Sequence, residues 1–216
     1  MSNKFSEKWK EKRQRSFTAK IRKLSKPSQG LKKRLNLATR RLQLQIQGLD
    51  NALERLSKRD KSIFKRIVKS YSARDTLRAN VLASELAELR KTEKMLMQTK
   101  LALESISLRL KTVSELGDVI TVLAPAANVI KNVRSGITSL FPEVNSELEN
   151  VGTLLTEIAS STSQTTGIPI NVEAANQDAK KILEEAESIA EQRIKQKLPE
   201  GVAGMPVKEK AELSAQ

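Results

Sequence analysis

Apolar positions from Leu42 to Ile67 recur in alternating steps of four and three. They are Leu42, Ile46, Leu49, Leu53, Leu56, Ile63 and Ile67, with one interruption at Asp60. A second series steps by seven through Leu82, Leu89, Leu96, Leu103 and Leu110, and Ile106, Val113 and Ile120 fill its other seam position. Such spacing marks a helix packed lengthwise on another helix. Between Gly30 and Gly117 the only glycine is Gly48, and no proline falls between Ser28 and Ala124, so little interrupts the helical text. The two series are out of phase across Ser70–Ala79, where Asp75 is placed to cap a new helix. The pattern predicts an antiparallel hairpin, with one helix from about Leu31 to Tyr71 and another from about Asp75 past Glu115, each roughly 60 Å long. Leu37, Leu44, Phe64, Val68, Leu101 and Leu108 fall off the principal seam. They need a second partner, either later helices of the chain or a neighbouring copy in a filament.

Past the hairpin the text is broken by Gly117, Pro125, Gly136 and Pro142. Shorter helices are expected over about 118–134 and 143–160, with Pro142 suited to a first turn. Ala159–Asn171 reads as a Ser/Thr/Gly linker. A last amphipathic helix, 173–197, places Ala179, Ile182, Ala186 and Ile189 on one face. Residues 198–216 read as a flexible tail. The fold class is all-α: a long antiparallel hairpin, shorter following helices and an N-terminal amphipathic helix. The divisions are 1–26, a core over 31–160, a linker at 161–172, an acidic helix at 173–197 and the tail.

Composition narrows the chemistry. The chain has no Cys and no His, which removes disulfides, thiolate nucleophiles, imidazole bases and nearly all zinc sites. No P-loop is present and nothing organises a carboxylate or lysine site, so no enzyme, cofactor or metal is expected. The longest apolar stretch, Val119–Ile130, contains a proline and is too short to span a bilayer, which takes about 20 residues. No signal-peptide core follows the basic N-terminus.

Charge adds a direction. Residues 1–78 carry 24 basic and 6 acidic side chains, whereas residues 135–216 carry 7 and 13. The front therefore asks for a polyanion, either an anionic lipid surface or a nucleic acid. The acidic rear can compete by folding back.

Three of the six aromatic residues, Phe5, Trp9 and Phe17, lie in the first 30 residues. On a helix these rings, with Ile21 and Leu24, share an arc of about 160°. Lys8, Lys12, Arg13 and Lys20 line its flanks and polar face. An amphipathic helix of this composition lies in a bilayer interface, with each cation contributing on the order of 1 kcal/mol at an anionic surface. Docking on the hairpin and nucleic-acid binding remain alternatives for this arm. The pI near 10.0 suits nucleic acid, but no zinc module, aromatic sheet motif or helix-turn-helix accompanies it.

The stretch Arg59–Tyr71 (RDKSIFKRIVKSY), Ser84–Lys91 (SELAELRK) and Lys100–Ala126 (KLALESISLRLKTVSELGDVITVLAPA) resembles the ESCRT-III-like proteins of the archaeal cell-division (Cdv) system. The overall plan agrees over about residues 31–197. The resemblance implies polymerisation on the cytoplasmic membrane surface at the division site, with homopolymer and paralogous ESCRT-III-like subunits as partners. It also implies membrane constriction and scission, and remodelling by an AAA ATPase carrying an MIT domain. The chain ends without the C-terminal domain by which the principal division paralogue is recruited, which favours one of the shorter paralogues. Family tails bind the ATPase through hydrophobic–proline pairs. Leu198-Pro199 and Met205-Pro206, with Val202 between them, match that pattern loosely.

The acidic distal helix offers Glu184, Glu185, Glu187 and Glu191 to Arg40, Arg41, Arg55 and Lys58 on the first arm. Exposed pairs of this kind are worth under about 1 kcal/mol each and are screened by salt. They suit a releasable autoinhibitory latch, and the resemblance implies the same closed form. Two rivals stay open: a basic helical nucleic-acid-binding protein, and a passive coiled-coil scaffold.

Overall fold

The computed structural model describes residues 29–116, 119–138 and 140–197. Five helices follow one another and, among the described residues, there is no strand: α1 (Gln29–Ser72), α2 (Thr76–Leu116), α3 (Val119–Ile137), α4 (Pro142–Thr166) and α5 (Val172–Lys197). The all-α hairpin plan is correct, and its arms begin and end within two residues of where the heptads put them. The expected N-terminal helix over 1–26 lies outside the described residues.

The turn between α1 and α2 is built from backbone bonds. Asp75 N donates to Ser70 O at 3.0 Å and Arg74 N to Tyr71 O at 3.0 Å, the paired bonds that close a helix through a left-handed residue. That residue is Arg74, with φ 60°. Asp75 then begins the next helix, its Oδ1 accepting from Arg78 N at 3.0 Å. This satisfies one of the orphan N–H groups of the α2 N-terminus.

The seam buries Leu42, Leu49, Leu53 and Ile63 of α1 against Leu82, Leu89, Leu96, Leu103 and Leu110 of α2. Its register is held by charge. Lys100 pairs with Asp50, and ten residues along, Arg90 Nε donates to Asp60 Oδ2 at 2.6 Å while Nη2 reaches Oδ1 at 3.3 Å. Asp60, the single break in the first heptad series, is thus one half of a forked ion pair with both side chains 19% exposed. A forked pair fixes geometry as well as energy.

α3 and α4 form a second, shorter pair, with α3 lying on α2 and α4 on α1. They meet closely at Gly152, where an added Cβ would stand 3.3 Å from Ile130 Cγ2. Arg134 ties the pair together, reaching Asn145 Oδ1 at 3.1 Å and Glu149 at 2.8 Å. Pro142 occupies the first turn of α4, as its ring geometry favours.

Two expectations are corrected here. The Ser/Thr stretch begun at Ala159 is not a linker until Gly167, because α4 continues to Thr166. Thr165 and Thr166 donate their hydroxyls to the carbonyls four residues back, both at 2.8 Å, and Ile158 and Ala159 bury the inner face. Gly167, with φ 71°, ends the helix and donates its N–H to Ser163 O at 2.8 Å. On α5 the buried face is Ala175, Ala179, Ile182, Ala186 and Ala190, while Ile189 stands 41% exposed. The true stripe leaves the expected one by one residue at its end, where alanine rather than isoleucine allows close approach.

Candidate functional surfaces

Three surfaces follow from this packing. The first is the docked face of α5. This helix lies against α2 and α3, with Asn128 Nδ2 donating to Asn176 Oδ1 at 2.9 Å at one end. At the other end Lys94 of α2 pairs with Glu191 and lies 3.7 Å from Glu187. The hydrogen bond with Glu191 raises the Lys94 pKa above its ordinary value, and the same bond holds the Glu191 carboxyl below its own.

Glu187 and Glu191 are therefore brought to a cation, but not to the one expected. Arg34, Lys58, Arg59, Asp60 and Asp50 account for the described ion pairs of α1, and Arg40, Arg41 and Arg55 take no part in them. Lys58 instead pairs within its own helix with Glu54 at 2.7 Å, which lowers the Glu54 pKa. Glu184 turns to Lys180 at 3.6 Å, and Glu185 joins no described pair. The physical reason is docking. The alanine face of α5 fits the groove between α2 and α3, which carries its acidic flank past Lys94 instead of over α1. No run of like charges marks Lys94 in the sequence; only its place on the hairpin does.

The second surface is the apolar residue left off the seam. Leu101 is buried and Phe64 half-buried, so the chain's own helices cover those two. Leu37, Leu44, Val68 and Leu108 remain exposed, Leu108 at 66%. The third surface is the far end of the hairpin, where α3, α4 and α5 do not reach the small cluster of Ile63, Leu82, Leu86 and Leu89. From Lys61 to Ser84 the chain carries six basic residues and one acidic residue.

The proposed membrane residues Phe5, Lys8, Trp9, Lys12, Arg13, Phe17, Lys20, Ile21 and Leu24 lie outside the described residues. So do the tail residues Leu198, Pro199, Val202, Met205 and Pro206. Among the described residues no helix is long and apolar enough to cross a membrane.

Hairpin, short helical pair and docked acidic helix define an all-α protein in which, among the described residues, one half of the hairpin is covered by later helices and the other is not. Sequence relatives identify the family. The chain is 40% identical over 177 residues to Cell division protein B1 of Sulfolobus acidocaldarius, covering 82% of this chain and 83% of that protein. It is 33% identical over 173 residues to Cell division protein B of the same organism, covering 79% of this chain and 65% of that protein. The chain belongs to the cell division protein B family. No protein-family model and no solved structure matches it.

Proposed function

We propose that this chain is a filament subunit that assembles on an anionic membrane surface and reshapes it during archaeal cell division. The observation that carries the reading is the uncovered apolar set Leu37, Leu44 and Leu108 on a rigid hairpin, in a relative of Cell division protein B1. Scattered exposed leucines need no explanation. Leucines one heptad apart on a straight arm, as Leu37 and Leu44 are, form a ridge that a second copy or a paralogous subunit can pack against. The chain is not an enzyme in this reading, and the work is supplied by a partner ATPase with an MIT domain that engages the tail at Leu198-Pro199 and Met205-Pro206. The basic aromatic arm around Phe5, Trp9 and Phe17 holds the filament on the cytoplasmic face of the membrane at the division site.

α5 is the latch. Its buried face is four alanines and one isoleucine, far less apolar area than α3 buries through Val119, Ile120, Leu123, Val129, Ile130, Val133 and Ile137. At about 25 cal/mol per Å² it is the helix most cheaply released, and its release uncovers α2 and α3.

Electron microscopy of the purified protein with and without anionic vesicles, and with residues 1–26 removed, tests the reading. Filaments or coats that need vesicles and the arm support it. A fixed small oligomer indifferent to vesicles sinks it in favour of a passive scaffold. Equal retention by duplex DNA and vesicles, unchanged by Phe5→Ser with Trp9→Ser, would favour nucleic acid.

A further inference from the structure

The turn end of the hairpin carries a pattern that neither the seam nor the latch uses. Leu77 is 80% exposed, and Val81, Tyr71 and Val68 are exposed beside it. All four lie within about 8 Å of the turn measured along the rod. They splay around its end, on the outer sides of both helices, because the inner sides are taken by Ile63, Ser70, Ala79 and Leu82. Lys69, Arg74 and Arg78 stand in the same shell, with Arg66, Lys65 and Lys61 about one to two turns further back. The one carboxylate of this end, Asp75, is occupied in capping α2.

We infer that the hairpin tip is a second lipid-contact site, which enters the interface of an anionic bilayer end-on. Interfacial segments bury apolar groups about 5–10 Å deep, the depth over which these four residues are spread. Cations then sit level with the headgroup phosphates and are attracted by the surface potential. A nucleic acid would satisfy the cations and leave the apolar ring wet. A second copy offering α4, whose charged residues are all acidic, would match the cations, but Glu149 and Glu157 of that helix are already paired with Arg134 and Arg34 of their own chain.

Arg74 is an independent sign. It holds a left-handed backbone position, φ 60°, where glycine is the unstrained choice. Arginine at such a point carries a backbone cost that glycine would avoid, and strained residues of this kind cluster at functional sites.

The inference rests on the membrane reading above, and the test separates the two. The chain has no cysteine, so Leu77→Cys and, as a shaft control, Glu88→Cys each accept one environment-sensitive fluorophore in the full chain. Glu88 lies about 18 Å from the turn, beyond interfacial depth. With vesicles of phosphatidylcholine and phosphatidylglycerol the 77 label is expected to shift to the blue and become quenchable from within the bilayer, and the 88 label to stay in water. Leu77→Ser with Val81→Ser should lower partition onto these vesicles roughly tenfold, the factor for partial burial of two aliphatic side chains. Arg74→Gly should lower it while leaving helicity and Tm unchanged or higher. If the chain pellets with vesicles but the 77 label stays in water, the tip site is overturned and the membrane reading survives. If the chain does not pellet at all, both fall. A shift at 77 that follows protein concentration without lipid, or duplex DNA instead of lipid, would assign the tip to a second copy or to nucleic acid and overturn the site.

Discussion

The two halves of the hairpin are made of the same kind of helix and are held in different ways. In the half nearest the chain's later helices, Leu96, Leu103, Ile106 and Leu110 share one cluster with Leu35, Leu42 and Leu49, and with residues of α3, α4 and α5. In the other half the buried cluster is Ile63, Leu82, Leu86 and Leu89, with Leu56, Phe64 and Ile67 packed at its edge. The Asp60–Arg90 fork lies where one cluster gives way to the other. A two-helix layer cannot bury much, so the bare half keeps its alignment through charge and a well-closed turn. The covered half holds the main core and still presents Leu37, Leu44 and Leu108 on its outer side, whereas the bare half has only its narrow seam.

The sharpest way to break this contrast is to cut both cores. Leu103→Ala removes a fully buried side chain and is expected to cost about 3–4 kcal/mol. Leu86→Ala, at the bare end, is expected to cost about 2 kcal/mol because water reaches the site more readily. Urea denaturation of the two variants compares them. Equal losses would mean that the bare half is covered in solution, by a second copy for instance.

The fork gives a smaller effect with a directional readout. Arg90→Ala leaves Asp60 half-buried without its partner, and a loss of about 2 kcal/mol is expected. Asp60→Leu together with Arg90→Leu should restore or raise stability, since an apolar pair replaces an ion pair at little cost and repairs the heptad. Thermal melts would show it. A double variant as weak as Arg90→Ala would mean that the fork does more than hold register.

Smaller still is the latch. Glu191 is held below its ordinary pKa when α5 is docked, so its contribution is full above the ordinary carboxylate range of about 4–4.5 and is lost as pH falls through the lowered value. Lys94 is raised, so its contribution is full below the ordinary lysine value of about 10.4 and is lost as pH rises through the raised one. Docking of α5 should therefore be flat across neutral pH and weaken at either extreme. Lys94→Met should loosen α5 by only a few-fold, since exposed, solvent-screened ion pairs contribute little. Limited proteolysis in the 167–171 loop would report it. Loosening by orders of magnitude would make Lys94 the clasp and the alanine face incidental. Gly48→Ala closes the series, with a gain of about 0.5–1 kcal/mol. Its Cβ would meet nothing within 4 Å on a helix already committed by packing.

The sequence was most readable where periodicity and capping chemistry agreed. Seven-residue leucines set both arms, Asp75 set the start of α2, and Pro142 set the start of α4. It misled where side chains are ambivalent. Serine and threonine next to Gly167 looked like a linker, yet their hydroxyls return to the helix's own carbonyls and keep it going. Ala179, Ile182 and Ala186 were placed correctly, but at the end of the stripe the bulk of Ile189 is the easier signal, although it is Ala190 that α5 buries. The partner of Glu187 and Glu191 was not legible at all. Many cations satisfy a charge rule equally well, and only the packing of α5 on α2 and α3 selects Lys94. The exposure of Leu37, Leu44 and Leu108 was half legible: periodicity marked them as off the seam, but only the fold shows that none of the described helices covers them.

One measurement tests the central claim directly: amide hydrogen exchange of the full chain, free and bound to anionic vesicles. In the free protein, amides of the bare half between Leu56 and Leu89 should exchange faster than those between Leu96 and Leu110, and α5 should be protected. On vesicles, Val68–Val81 and Leu37–Leu44 should gain protection while α5 loses it. A bound chain that keeps α5 protected and its tip unchanged would contradict the account.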